Sequence, residues 1–231
     1  MPGPPLIQVS NATKRYGNGS STLTVFDGLN FSAPKGSFTA LMGPSGSGKT
    51  TLLHTIGGLQ RLTSGTVRVG ENELVEASEA RLSKWRAQTI GFVFQFYNLM
   101  PMLTARANIQ LPLQLTTVSN SDRKRRVEAA ADLVGIASRL RHRPREMSGG
   151  EQQRVAIARA IVSDPPVLLC DEPTGDLDRA TATDVLNLLQ ALCRDLGKTI
   201  IMVTHDPEAA EYSDRLFTFN KGELEMERGA A

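Results

Sequence analysis

Residues 43–50 read Gly-Pro-Ser-Gly-Ser-Gly-Lys-Thr, the eight-position pattern G-x-x-x-x-G-K-[ST] in full. Gly43, Gly46 and Gly48 let the backbone wrap a chain of phosphates with its N–H groups turned inward. In this pattern Lys49 neutralises β- and γ-phosphates, and Thr50 offers a hydroxyl to Mg²⁺. Pro44, Ser45, Ser47 and Thr51 complete the stretch expected around the nucleotide. Upstream, Ser37–Met42 reads as a short buried strand. Downstream, Thr51–Ile56 opens a helix whose N-terminal dipole favours anions. Strand, glycine loop and helix in that order predict a nucleoside-triphosphate site. A chance Gly/Ser turn would not bring both flanks with it.

The surrounding composition narrows the class. A chain of 231 residues fits one large domain, or a core with one insertion. Hydrophobic residues make up 40% and charged residues 22%, the proportions of an ordinary globular protein. The net charge of +2 is too small to argue for nucleic acid as a partner. The longest apolar runs, Val167–Cys170 and Ile200–Val203, are strand-sized and far short of the ~18–20 residues that cross a bilayer. Met1-Pro2-Gly3-Pro4-Pro5 lacks the charged and apolar regions of a signal peptide. The two cysteines, Cys170 and Cys193, fall in an expected strand and an expected helix. They read as small buried hydrophobes rather than a disulfide, which points to the cytosol.

The N-terminal third alternates short β-like runs with turn residues: Leu6–Val9, Leu23–Phe26, Asn30–Ser32, Ser37–Met42 and Thr66–Val69. Gly17-Asn18-Gly19 and Pro34-Lys35-Gly36 punctuate them. A charged segment, Glu76–Ala87, is expected to be helical and leads into the apolar strand Ile90–Phe94. Residues from about 96 to 148 change character, with helical spacing, prolines at 101, 112 and 144 and a basic run at 123–126. They read as a helical insertion. From Gly149 the pattern becomes helix (Glu151–Val162), strand (Val167–Cys170), helix (Ala180–Leu196), strand (Thr199–Val203) and helix (Pro207–Tyr212). A hairpin of Arg215–Asn220 and Glu223–Met226 follows. Strands alternating with helices predict an α/β fold with a helix-covered parallel sheet.

In such a sheet, ligands collect at the carboxyl ends of the strands. Val167-Leu168-Leu169-Cys170-Asp171-Glu172 is an apolar run that ends there in two acids. Asp171 is placed to hold Mg²⁺ beside Thr50, and Glu172 to reach a water that attacks the γ-phosphate. Thr199-Ile200-Ile201-Met202-Val203-Thr204-His205-Asp206 carries a second apolar strand that ends in a histidine, and His205, at the same sheet edge, is expected to contact the γ-phosphate. Met147-Ser148-Gly149-Gly150-Glu151 forms another anion-binding helix start, with Ser148 as N-cap. Because the loop at 43–50 already holds one nucleotide, this second start is expected to cover the nucleotide of another subunit.

Residues 43–50, Gln95, Met147–Glu151, Leu168–Glu172, Gly175–Asp178 and His205 occur in the order of the ATP-binding-cassette (ABC) transporter ATPases. The chain resembles that family over essentially its whole length. The resemblance implies the ABC ATPase fold: a P-loop parallel-sheet core, an N-terminal antiparallel β-subdomain and an inserted helical subdomain. Residues 1–231 would form one domain, with 1–95 and 149–231 as nucleotide-binding core and 96–148 as the helical part. It implies ATP as substrate, with Tyr16 stacking on adenine and Gln95 sensing Mg²⁺ and the attacking water. Thr50, Gln95 and Asp171 would hold the metal. Ser148, Gly149, Gly150 and Glu151 would meet the γ-phosphate across a head-to-tail homodimer. Glu172 would be the catalytic base, His205 the γ-phosphate sensor and Lys49 the charge neutraliser, while Asp176 and Asp178 would belong to a loop linking the two sites.

Two departures stand out. The signature reads Met-Ser-Gly-Gly-Glu where Leu-Ser-Gly-Gly-Gln is commonest, although cap and glycines are kept. Pro-Thr-Gly-Asp-Leu-Asp after Glu172, Ile-Gly-Phe-Val-Phe-Gln at 90–95 and Asn-Leu-Met-Pro at 98–101 resemble the lipoprotein-release, macrolide-export and cell-division subgroup, where Asn is common at the position of Asp176. That likeness implies a bacterial ATPase on the cytoplasmic face of the inner membrane. Its membrane permease partner would dock on Phe96–Leu115, where methionines offer adaptable contact. Part of that apolar stretch must equally form the core of the helical insertion, with Tyr97, Leu99 and Met100 as candidates for the interface.

The basic stretches at 123–126 and 139–145 read as solvated helix faces diluted by Glu128, Asp132 and Glu146, and His54 and His142 lack the spacing of a metal site. Three alternatives remain: an importer ATPase, a soluble cassette ATPase without a membrane partner, and a nucleotide binder without turnover. Importers often append a regulatory domain, soluble cassettes usually carry two cassettes or a long coiled coil, and Lys49, Glu172 and His205 together speak against a silent binder.

Overall fold

A computed structural model describes residues 5–17 and 22–229. Met1–Pro4 and most of the turn expected at Gly17-Asn18-Gly19 lie outside them. The chain starts with β1 (Ile7–Tyr16) and β2 (Leu23–Ala33), which pair antiparallel with Ile7 opposite Ala33. Leu23–Phe26 and Asn30–Ser32 are thus one strand, not two. Gly28, at φ 67°, absorbs an irregularity in the pairing, and Thr13 Oγ1 pins it by donating to Asp27 and accepting from the Gly28 N–H. With β4 (Ser64–Val69) and the two-residue β5 (Asn72–Glu73), they make a four-stranded sheet in the order β2-β1-β4-β5.

The second sheet carries the site. β3 (Phe38–Met42) runs into α1 (Lys49–Ile56), and α2 (Glu79–Thr89) leads into β6 (Ile90–Val93). After the helical excursion come α5 (Gly149–Ile161), β7 (Val167–Asp171), α6 (Arg179–Arg194), β8 (Thr199–Thr204), α7 (Pro207–Ala210), β9 (Arg215–Asn220) and β10 (Glu223–Arg228). The sheet order is β10-β9-β3-β8-β7-β6. All adjacent pairs are parallel except the closing hairpin of β9 and β10. The excursion holds α3 (Ala105–Gln110), a 3₁₀ turn at Leu111–Leu115 and α4 (Asn120–Leu133), which accounts for the helical spacing and the prolines of 96–148.

Helices or a second sheet cover both faces, so the central strands are apolar throughout and their alternation sorts side chains into two cores. Leu168 and Cys170 face the core shared with α5, α6 and the helical excursion. Val167 and Leu169 face the opposite core, with α1 and the antiparallel sheet. α6 adds a stripe of Val185, Leu186, Leu189, Leu192 and Cys193, the helical spacing of a buried face. Both cysteines are buried thiols, as expected.

The contact between α5 and β6 leaves no room for a side chain at Gly91. A Cβ there would lie 2.3 Å from the Ala160 carbonyl oxygen and 2.7 Å from Leu168 Cδ2. Because the first obstacle is backbone, Gly91→Ala must push α5 off the sheet. We expect a loss of about 1–3 kcal/mol, read as a lower urea midpoint at unchanged slope.

Candidate functional site

α1 differs from every other α-helix among the described residues. Ser78, Thr104, Ser119, Ser148, Asp178 and Asp206 cap the other six through a side chain that accepts a backbone N–H. α1 begins after Gly48 with no side-chain cap. Its first amides are left for an external acceptor. The loop before it lies hard against β9, since a Cβ on Gly43, at φ 152°, would stand 2.2 Å from the Phe219 carbonyl oxygen. Gly46 differs from Gly43: it is exposed at φ 77°, and a Cβ there would meet nothing within 4 Å. Packing therefore does not require a glycine at Gly46; the left-handed turn of the loop does. Pro44 and Ser45 beside it are exposed as well, so the outer rim of the loop is open. Ser47 Oγ, by contrast, is buried without a hydrogen-bond partner.

Lys49, 5% exposed, folds its ammonium back onto the carbonyls of Gly43 and Pro44, 2.7 Å from each. Burial pulls that ammonium below its usual 10.5, opposed by the charges of Glu172 and Asp171. An uncapped helix start, an orphaned hydroxyl and a buried cation suit a polyphosphate.

The neighbouring strand ends supply the acids. Thr50 Oγ1 donates to Asp171 Oδ1 at 3.0 Å, which ties α1 to the tip of β7. Glu172 adopts φ 46°, a left-handed backbone that costs a non-glycine residue about 1–3 kcal/mol. Its amide donates to the Val203 carbonyl, and its Oε2 lies 3.0 Å from His205 Nδ1. A Cβ at Gly175 would sit 3.2 Å from Gln95 Nε2 and 3.5 Å from Glu172 Oε2, so the amide and the carboxylate crowd the same spot. A cleft of about 330 Å³ opens beside them, lined by Glu172, Gly175, Leu177, His205 and Asp206. The hydroxyl, carboxylate and amide of Thr50, Asp171 and Gln95 are hard donors of the kind Mg²⁺ accepts alongside phosphate oxygens and water.

The remaining expected residues lie further out. Tyr16, 40% exposed, ends β1; its hydroxyl bonds Gln60 and Lys14 Nζ sits 4.5 Å over the ring. Ser148 caps α5 in a reciprocal box: its Oγ accepts from the Glu151 N–H while Glu151 Oε2 accepts from the Ser148 N–H. Glu151 Oε1 takes a bond from Arg139 at 2.7 Å, so that arginine is not merely solvated. The Glu151 carboxylate is held below its ordinary value, chiefly by the Ser148 amide. Asp178 caps α6 through Thr181. Within Phe96–Leu115 the burial is divided: Ile109 and Leu113 are core, whereas Phe96 (70% exposed), Met100, Met102 (75%) and Leu115 face outward. Leu99 packs against the core, and Tyr97 is half-buried.

Three residues near the site have no counterpart among the sequence candidates. Gln153, fully buried on α5, donates to the Pro173 carbonyl at 2.7 Å, just after Glu172. Arg159 donates to the carbonyls of Tyr97 and Asn98, just after Gln95. Phe219 walls the glycine loop from β9. Only Gln153 left a trace in the sequence, as an amide on an otherwise apolar helix face.

A glycine loop opening an uncapped helix, beside an acid-tipped parallel strand, defines a phosphate-loop nucleotide-binding protein. The sequence pattern described as ABC transporter matches residues 26–175, and the chain belongs to that family as an ATP-hydrolysing cassette. It is 45% identical over 210 residues to the lipoprotein-releasing system ATP-binding protein LolD of Geobacter metallireducens, covering 91% of this chain and 93% of the relative. It is 42% identical over 225 residues to the ABC transporter ATP-binding protein YvrO of Bacillus subtilis, covering 97% and 98%. Among solved structures, the cassette MJ0796 of Methanocaldococcus jannaschii, a dimer in a post-hydrolysis state bound to ADP and Pi, aligns with a TM-score of 0.90. That alignment has 36% identity and covers 97% of this chain and 99% of the other.

Burial raises the Asp171 carboxyl above its ordinary 3.8, more than the Thr50 hydrogen bond lowers it. A carboxyl raised in the folded state favours folding at low pH, and that contribution is lost as pH rises from 3.8 through the folded value. At neutral pH the Asp171 charge therefore works against the nucleotide-free fold. We expect Asp171→Asn, free of nucleotide and metal, to melt above the parent at neutral pH. The gap should close as the pH falls below 3.8; a variant that melts lower at neutral pH would mean that attraction to Lys49 outweighs burial.

Proposed function

We propose that the chain is the ATPase of a bacterial ABC complex of the lipoprotein-release or macrolide-export type, working as a head-to-tail homodimer on a membrane permease. The carrying observation is the Glu172–His205 pair at 3.0 Å, beside the Thr50–Asp171 contact at 3.0 Å on the adjoining strand ends. Lys49 and the α1 amides bind the phosphates, the open rim at Pro44, Ser45 and Gly46 leaves them a way in, and the part-exposed ring of Tyr16 would stack on adenine. Thr50, Asp171 and Gln95 would hold Mg²⁺, which supplies charge neutralisation across the β- and γ-phosphates when bound. Glu172 Oε accepts a proton from the attacking water as its oxygen bonds the γ-phosphorus and the bond to the β-phosphate oxygen breaks, releasing ADP and phosphate. His205 holds Glu172 in place through Nδ1, and its position at the same strand edge suits a γ-phosphate contact. Positioning and charge carry most of the rate.

Ser148 supports sharing of each nucleotide between protomers. With its Oγ lone pair used in the cap, its O–H is free to donate outward from an exposed helix start, and Gly149 and Gly150 present their amides there. Glu151 serves that start by holding its cap. The dimeric MJ0796 cassettes and the LolD-named relatives favour the same assembly. The permease would seat on the exposed Phe96, Met100 and Met102 and the adjoining cleft of about 200 Å³ between Phe92, Phe94 and Pro112. Residues 96–148 then act as the helical subdomain and 1–95 with 149–231 as the core. Among the described residues no helix is long and apolar enough to cross a membrane. We place the protein peripherally on the cytoplasmic face of the inner membrane.

Glu172→Gln keeps the shape of the side chain and removes the base. Phosphate release should fall by about 10²-fold or more, while light scattering shows dimers that persist in Mg-ATP. Undiminished phosphate release would refute the role of Glu172, and monomers at saturating Mg-ATP would refute the shared site.

A further inference from the structure

Immediately after Gln95 the backbone turns through two consecutive left-handed residues, Tyr97 at φ 58° and Asn98 at φ 46°. Asparagine tolerates that conformation, but a bulky tyrosine does not unless its surroundings compel it. The local bonds of this turn are one from the Tyr97 amide to the Phe94 carbonyl and one from the Asn98 amide to the Phe96 carbonyl. What compels the turn comes from α5. Arg159 spreads its guanidinium across it, donating from Nη2 to the Tyr97 carbonyl at 2.7 Å and from Nη1 to the Asn98 carbonyl at 2.5 Å. The planar fork of arginine meets both acceptors at once, which a lysine ammonium on its flexible stem cannot do with the same fixity.

A second contact returns to the same helix. A Cβ on Gly149 would stand 2.9 Å from the Tyr97 hydroxyl, so the tyrosine tip rests on the first turn of α5. α5 thus grips the loop from its C-terminal half through Arg159 and touches it from its N-terminal turn through Tyr97. The loop bracketed in this way carries Gln95 at one end and the exposed Phe96 and Met100 beside it.

We propose that Arg159 is a positioning residue for hydrolysis: its hold on the Tyr97 and Asn98 carbonyls fixes Gln95 beside Glu172 and makes the Gln95 loop and the Ser148 helix start move as one body. The inference rests on the reading of Gln95 and Ser148 given under Proposed function. A movement imposed on the exposed loop then reaches the Ser148 helix start directly, without passing through the sheet. If Arg159 merely fills the interior, its loss lowers stability but leaves the placement of Gln95 intact.

The test is a double-mutant cycle on the full chain, with steady-state ATP hydrolysis and thermal melting read for Arg159→Gln, Arg159→Lys, Gln95→Ala and both double variants. Arg159→Gln should lower kcat about tenfold or more while KM for ATP stays within about twofold, the signature of an interaction spent on the chemical step. Arg159→Lys should recover part of that loss. In the Gln95→Ala background neither change at Arg159 should cost anything further, because both act through the same amide. Losses that multiply, or a raised KM at unchanged kcat, overturn the proposal. If Arg159→Gln does not fold, the lysine cycle decides alone, and a lysine variant as fast as the parent counts against the grip. Full turnover in Gln95→Ala itself would bring down the role of Gln95 and this proposal with it. Impaired Gln95→Ala with multiplying losses brings down this proposal only.

Discussion

The Lys49 ammonium is buried facing two carboxylates, and the arrangement of the nucleotide end of the molecule follows from that placement. Removing an ammonium from water is unfavourable unless acceptors surround it. The Gly43 and Pro44 carbonyls provide them, which forces the glycine loop to curl over the side chain. Asp171 and Glu172 add opposite charge from the tip of β7. One cation against two anions leaves the site with excess negative charge, and a nucleotide triphosphate would add more. On the proposed reading a further cation would balance the phosphates, and the oxygen donors of Thr50 and Asp171 are of the kind a divalent ion takes.

That charge cluster can be precise because the scaffold under it has little freedom. β3, β7 and β8 are buried on both faces and in parallel register, with Leu41 opposite Val203 and Asp171 opposite Val203 on either side of β8. A slip by one residue would send each strand's side chains into the wrong core. Register thus fixes which residue ends each strand, and with it the positions of Met42 before the loop, Asp171 and His205. α5 adds a second constraint from the side. Through Gln153 it holds the backbone after Glu172, through Arg159 the backbone after Gln95, and through Gly91 and Ala160 it is pressed against β6.

What could be read from the sequence was local. The glycine loop, the acid-ended strand and the Ser148 cap each need only neighbours in the chain, and apolar runs of strand length announced the buried sheet. Even within the loop the pattern hides a difference: Gly43 is held by contact with Phe219 and Gly46 by backbone conformation alone, although the two letters are the same. Cap and loop differ in kind from what was missed. Arg159 meets Tyr97 and Asn98 across the helical excursion, and no spacing rule links an arginine on an amphipathic helix to a carbonyl so far away. Left-handed backbone at Tyr97 and Glu172 is equally silent, because neither residue type favours it. The β-like pattern is interrupted between Phe26 and Asn30, where the bulge at Gly28 lets β2 continue as one strand. In Phe96–Leu115 an undivided apolar pattern conceals two populations. Tertiary packing alone buries Ile109 and Leu113 and leaves Phe96 and Met102 out.

The two helix starts proposed to meet phosphate are built on opposite principles, and the difference fits the separate tasks proposed for them. α1 has no side-chain cap and opens with the buried Lys49, so its first amides are left for an external acceptor such as phosphate. α5 is capped in both directions by Ser148 and Glu151, with Arg139 holding the glutamate, and this cap stands without any ligand. A start of the first kind should retain nucleotide within one chain. A start of the second kind can approach and leave a phosphate without its own turn fraying, which suits the proposed engagement of another protomer's nucleotide. Glutamate in place of glutamine in the signature is tolerable on this account, since both carboxylate oxygens are engaged, one by the Ser148 amide and one by Arg139.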